Sequence, residues 1–202
     1  HLRLAEGQGA ELLWRDTKDR RLTPLDALKV YALKTSPAFE AALYSGVRLA
    51  GAATELETPI HEFSKHIGIA FQILNDLKDW RGDNDNKLDP GGDVLGGRPT
   101  LLLALALQQL EEADRKELLS LLGSEAAGSL CRVRELYTRA NVFNLADQMV
   151  DKHQERAERI ADDLPNENLR RLAYYLIDTV LERAAEETPE LVVPTLPIVS
   201  AN

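Results

Sequence analysis

From Leu2 to about residue 187, apolar residues recur three and four positions apart, and no bounded run alternates apolar with polar side chains. That period lines up one face of an α-helix, whereas a half-buried strand needs a period of two. The pattern predicts an all-α chain, with helices near 2–16, 24–34, 37–53, 59–80, 99–111, 114–122, 125–140, 144–163 and 167–187. Several helix ends are legible. Thr23-Pro24 and Ser36-Pro37 each place a capping hydroxyl before a proline suited to the first helical position. Leu164-Pro165 stops one helix, and Asn166 or Asn168 can cap the next. Residues 81–98, RGDNDNKLDPGGDVLGGR, break the period with Gly82, Gly91, Gly92, Gly96 and Gly97 among four aspartates. So long a structureless connection is a functional loop or a disordered one. The reading is one helical domain over 1–187 and a tail over 188–202, extended or disordered, since its prolines cannot continue a helix.

Charge narrows the partners. Lys and Arg number 24 against 33 Asp and Glu, a formal net charge of −9. Nucleic acid recruits basic faces, so it is not expected as a partner. A small anion held by a few local cations is compatible. The single Cys131 excludes an internal disulfide framework and suits a reducing cytoplasm. No apolar stretch approaches the roughly 20 residues that span a bilayer, and the start shows no signal-peptide pattern. The opening HLRLAEGQGAELLW is already helical in pattern and lacks an initiating Met, the one Met being Met149. The expectation is that the chain begins inside a larger protein.

Segment 59–80 carries the strongest chemical signal. On a wheel of 100° per residue, Ile60, Phe63, Ile67, Ala70, Leu74 and Leu77 share one side. Gly68, Gln72, Asn75, Asp76 and Asp79 fall within an arc of roughly 100° on the other. A solvated helix end and a cation site both fit this acidic ledge. Acids near a helix C-terminus oppose the helix dipole, which a bound cation would offset. Mg²⁺ takes hard oxygen ligands and is typically held by one or two carboxylates with water and phosphate.

Other motifs fail. In the Asp-rich loop, Lys87, Leu88 and Val94 stand where an EF-hand needs a ligand, Gly and Glu. GGDVLGGRPT has Arg98-Pro99 in place of the Lys-Ser/Thr of a P-loop. His61 and His66 are five apart, so they diverge on a helix and are not a zinc pair. His153 lies on an apolar stripe and reads as a core or interface histidine, and Cys131 as a buried small residue. Lys34, Lys87 and Arg98 are ordinary surface charges one by one. Together with the ledge they would suit a metal–diphosphate complex.

These pieces stand in a familiar order. EGQGAEL (6–12), YALKTSPAFEAAL (31–43), GIAFQILNDLKD (68–79), GGDVLGGRPTLLLALAL (91–107) and ADDLPNENLRRLAYYLIDTVLERA (161–184) follow one another along the chain. From about residue 2 to 187 the sequence resembles the C-terminal part of the trans-isoprenyl diphosphate synthases, or polyprenyl synthetases. Segment 71–79 is similar to that family's second aspartate-rich motif, Phe-Gln-x-x-Asp-Asp-x-x-Asp, with Asn75 replacing its first Asp. Glu11 stands where an Asp is usual, Arg98 replaces a Lys, and Lys87 is one residue off the family's loop Lys. The first aspartate-rich motif and the Arg pair after it would lie upstream of residue 1.

The resemblance implies an all-α isoprenoid-synthase-type bundle lacking its N-terminal helices. It implies head-to-tail condensation of isopentenyl diphosphate with an allylic diphosphate, assisted by three Mg²⁺ ions. Asn75, Asp76 and Asp79 would hold metal. Lys34, Thr35 and Gln72 would act at the reacting centre. Gln8, Lys34, Phe71, Gln72, Lys87 and Arg98 would contact substrate. A cytoplasmic homodimer is also implied. The 202 residues alone are expected to be inactive. Two rival readings remain at this point. One is a class I terpene cyclase using Asn75, Asp79 and Asp83 at the spacing of its metal motif. The other is a noncatalytic subunit of a heteromeric synthase.

Overall fold

The computed structural model describes residues 1–16, 21–51, 54–81, 91–123 and 128–183, apart from the side chains of Arg81 and Leu95. The described residues form helices and turns only. α1 (Leu2–Asp16), α2 (Pro24–Lys34) and α3 (Ser36–Ala50) come first, followed by a 3₁₀ turn (Thr54–Leu56). α4 (Glu57–Arg81) is the longest element. Beyond it lie a short α5 (Gly92–Leu95), α6 (Leu101–Gln109), α7 (Glu112–Leu121) and α8 (Ser129–Arg139). α9 (Val142–Asp162) and α10 (Glu167–Val180) complete the described chain.

α4 is the axis of the bundle, packed along α9 and α3 and also against α2 and α6. Its expected apolar side is buried: Ile60, Phe63, Ile67, Ala70, Leu74 and Leu77 all face the core. Ile69, Ile73 and Trp80 are buried as well, so α4 is covered on more than one stripe. Each fully buried Leu or Ile contributes on the order of 2 kcal/mol. α6, LLLALALQQ, is buried from Leu101 to Leu107. Trp80 of α4 meets Tyr137 of α8 and Phe143 of α9, with ring centroids 5.0 and 6.1 Å away. This aromatic cluster fixes the C-terminal part of α4, where its acidic residues lie.

Thr23 caps α2 as expected, in a reciprocal box with Asp26. Asn166 caps α10 by accepting the Leu169 amide at 3.1 Å. Ser36 does not cap α3. It is the first helical residue, and Thr35 holds the cap position without a side-chain bond. The Ser36 hydroxyl instead donates to the Lys65 carbonyl at 3.3 Å. The cause is a close crossing of α3 over α4: a Cβ on Gly68 would sit 2.6 Å from Ser36 Oγ and 2.8 Å from its Cα. Three further expectations change. Residues 92–95 form a helical turn inside the segment read as structureless. Cys131 is exposed, because α8 buries Ser129, Val133, Leu136 and Tyr137 and turns residue 131 outward. α10 ends at Val180, and the predicted tail lies outside the described residues, as do residues 82–90.

His61 and His66 do diverge. His61 Nδ1 lies 3.0 Å from Glu40, while His66 Nδ1 meets His153 Nδ1 at 2.9 Å in the α4–α9 interface. No helix among the described residues is long and apolar enough to cross a membrane.

Candidate functional site

α1, α2, α4 and the segment around α5 meet at one small cleft. Glu11, Lys34, Gln72, Asp76, Asp93 and Arg98 line it, with Tyr31 and Thr100 behind. Its volume of about 50 Å³ gives room for roughly three waters.

Lys34 ends α2. α1 approaches it closely at Gly7, where a Cβ would stand 2.8 Å from Lys34 Cγ. That approach puts Glu11 onto the Lys34 ammonium as a partly buried ion pair. The ammonium carries three N–H donors, so Glu11 alone does not exhaust it. Thr35 occupies the break between α2 and α3. Its amide donates to the Tyr31 carbonyl at 2.9 Å and its hydroxyl to Gln72 Oε1 at 3.2 Å. Gln72 passes the connection on, its amide N–H reaching Asp76 Oδ1 at 3.5 Å.

Asp76 is 2% exposed, which rejects the solvated-ledge reading. Its Oδ2 accepts the Tyr31 hydroxyl and, at 3.3 Å, the Leu101 amide. The same amide donates to Tyr31 Oη at 2.7 Å. Leu101 opens α6, so this N–H is one of the unpaired donors of a helix N-terminus, and it sits at the positive end of the helix dipole. Burial pushes the Asp76 carboxyl up to about 7, and the charge of Asp93 adds to the rise. The hydrogen bonds from Tyr31, Gln72 and Leu101 oppose it. Tyr31 is raised as well, first by burial and then by the neighbouring Asp76 charge.

Asp79 joins the far end of the loop to α4. Its carboxylate accepts the Asp93 amide at 3.2 Å, and its carbonyl accepts the Gly91 amide at 3.0 Å. Burial and the nearby Asp79 charge raise the Asp93 carboxyl, while Arg98, 2.9 Å away, lowers it.

The donor set is all oxygen, which suits a hard cation rather than a thiophilic one. Among the described residues, no three His, Cys, Asp or Glu side chains close on a metal by themselves. Mg²⁺ needs only one or two carboxylates and takes the rest of its shell from water and phosphate. A buried carboxyl that keeps its proton near neutrality is one that a divalent cation can deprotonate on binding. Asp76 and Asp93, the two aspartates that line the cleft, have the oxygen chemistry such an ion takes.

The structure brings Lys34, Gln72, Asp76 and Arg98 to the cleft, with Thr35 bonded to Gln72 and Asp79 bonded to Asp93. Asn75 is half-buried on α4, one turn before Asp79, and does not line the cleft. Gln8 is exposed on α1, and Glu11 is the α1 residue that reaches inward. Phe71 packs edge-on against Phe39 with centroids 6.1 Å apart. Lys87 and Asp83 lie outside the described residues. Tyr31 and Asp93 were missing from the predicted site. Tyr31 stands three residues before Lys34, hence on the same face of α2, and that spacing was the available signal.

A polyprenyl synthetase family profile matches residues 1–139. The chain is similar to the geranylfarnesyl diphosphate synthase of Aeropyrum pernix, 30% identical over 186 residues, covering 90% of this chain and 57% of that protein. It is similar to the short chain isoprenyl diphosphate synthase of Methanothermobacter thermautotrophicus, 26% identical, covering 90% and 56%. The fold matches that of geranylgeranyl pyrophosphate synthase from Corynebacterium glutamicum, a structure complexed with isoprenyl diphosphate and magnesium. The TM-score is 0.80 at 23% identity, over 90% of this chain and 52% of that one. The chain thus spans little more than half the length of the relatives it matches.

Proposed function

The chain belongs to the polyprenyl synthetase family, and from that premise we propose that it is the part of a prenyltransferase that holds metal and diphosphate. The reaction is head-to-tail condensation of an allylic diphosphate with isopentenyl diphosphate to a linear isoprenyl diphosphate. The carrying observation is the convergence of Lys34, Arg98, Asp76 and Asp93 on one cleft from three separate parts of the chain.

Asp76 and Asp79 would hold Mg²⁺ directly or through water, with Asp93 beside them and Asn75 as a neutral oxygen donor one turn away. When bound, the ion supplies positive charge that stabilises the diphosphate as it departs. Lys34 donates to diphosphate oxygens, exchanging part of its bond to Glu11 for them. Arg98 gives a second cationic contact at the mouth, where its side chain is largely exposed. Thr35 orients Gln72, and Gln72 keeps its amide toward Asp76. Together these groups place a leaving diphosphate between carboxylate-held metal and ammonium, a positioning role that lowers the entropic part of the barrier. Three ions, a cytoplasmic homodimer and substrate contacts from Gln8, Phe71 and Lys87 complete the proposal.

The cyclase reading needs Asp83 and leaves the Thr35–Gln72–Asp76 chain of hydrogen bonds without a role, so the synthase reading is preferred. The test is a product assay on the full natural polypeptide with geranyl diphosphate, with and without isopentenyl diphosphate. A longer linear diphosphate that requires isopentenyl diphosphate is expected. A cyclic hydrocarbon from geranyl diphosphate alone, or no diphosphate release, refutes the proposal.

A further inference from the structure

Tyr31 carries a role that the family reading does not supply. Its ring is buried at 5% exposure, and its hydroxyl lies between two groups that matter to the cleft. It accepts the first free amide of α6 from Leu101 at 2.7 Å and donates to Asp76 Oδ2. The remaining oxygen, Oδ1, has the long 3.5 Å contact from Gln72. The last torsion of an Asp side chain is broad and soft, so a carboxylate held only by long contacts, 3.5 Å from Gln72 and 3.3 Å from Leu101, is loosely oriented. The Tyr31 hydroxyl removes that freedom on the Oδ2 side. Tyr31 is also one helical turn from Lys34 on the same face of α2. One helix therefore carries both the ammonium and the group that orients the carboxylate across the cleft from it.

We infer that Tyr31 is a positioning residue for the divalent cation: it holds Asp76 so that Oδ1 stays available to metal, and it sets the spacing between that oxygen and Lys34. The inference rests on the metal–diphosphate reading of the cleft. Without the hydroxyl, Asp76 Oδ2 keeps only the 3.3 Å bond from Leu101, and that amide loses its best acceptor. Outer partners of metal ligands typically contribute about 10–100-fold to metal affinity.

The experiment is Mn²⁺ binding to the 202-residue chain, read from the free Mn²⁺ electron paramagnetic resonance signal. Wild type, Tyr31→Phe and Ile177→Val are compared. The Ile177 variant trims the core on α10, away from the cleft, and has a similar small stability loss. Tyr31→Phe is expected to bind Mn²⁺ about tenfold or more weakly, with Ile177→Val unchanged. Equal affinity for Tyr31→Phe and wild type overturns the inference while leaving the metal reading intact. Equal losses in both variants also overturn it, because they show a general effect of stability. No Mn²⁺ binding by wild type overturns the metal reading and the inference together. Should Tyr31→Phe fail to fold, the Leu101 amide resonance of wild type is followed during Mg²⁺ titration. A shift that saturates with binding supports the inference, and an unmoved resonance refutes it.

Discussion

Replacing Asp76 by Asn removes a buried charge and keeps the side chain's shape. An Asn oxygen can still accept from Tyr31 and Leu101, as Asp76 Oδ2 does. In the unfolded chain the carboxyl releases its proton near the ordinary value of 3.8, whereas burial holds it in the folded chain to about 7. Between those values the folded state binds the extra proton, so the metal-free protein loses stability as pH rises through that window. Above pH 7 the accumulated penalty reaches about 4 kcal/mol, and local relaxation lowers it to about 2–4 kcal/mol. Asp76→Asn removes it. At this chain length that is a rise in melting temperature of roughly 4–16 °C. The assay is thermal unfolding by circular dichroism in EDTA at pH 8 and pH 4. The variant should be clearly more stable at pH 8, with the difference nearly gone at pH 4. Excess Mg²⁺ should stabilise wild type and leave the variant almost unmoved. A variant less stable than wild type at pH 8, or an equal difference at both pH values, would refute the view that a strained carboxylate waits there for a cation.

Three further outcomes can be checked separately. The His66–His153 contact holds only one proton between two ring nitrogens, and burial, then the His66 charge, lowers His153 to about 4. The unfolded imidazole takes its proton near 6.5, so stability attributable to this residue falls by about 2–3 kcal/mol as pH drops from 6.5 to 4. Urea unfolding of His153→Leu should lack that loss, and a parallel pH profile would contradict it. Gly68→Ala should cost more than about 2 kcal/mol, because the new Cβ meets Ser36 backbone at 2.8 Å; an unchanged denaturation midpoint would show that α3 can move away. Asn75→Asp should leave Mn²⁺ affinity equal or tighter, since it adds a charged oxygen beside Asp79; a clear loss would mean that Asn75 is required as an amide.

Much of this was readable in advance because helical periodicity reports burial directly. The apolar side of α4, the Thr23 and Asn166 caps and the divergence of His61 from His66 all follow from spacing alone. Asp76 shows the limit. A wheel puts it beside Asn75 and Asp79, but cannot tell that α2 and the N-terminus of α6 close over it. Ser36 and Cys131 fail for the same reason: a capping hydroxyl was taken up by an interhelix contact, and a small residue fell on the outer side of α8. Asp93 reaches the cleft through tertiary packing of the loop end onto α4, which no local pattern encodes, and the one local hint of Tyr31 was its spacing from Lys34 on α2.

The central claim is that Lys34 and the Asp76 group act on one metal-bound diphosphate. Calorimetric titration of the chain with geranyl diphosphate, with and without Mg²⁺, tests it most directly when repeated on Lys34→Ala. Binding that requires Mg²⁺ is expected in wild type, weakened about tenfold or more by loss of the charge-assisted bond in Lys34→Ala, with Mg²⁺ affinity in the absence of diphosphate unchanged. Binding that ignores Mg²⁺, or is indifferent to Lys34, would contradict it.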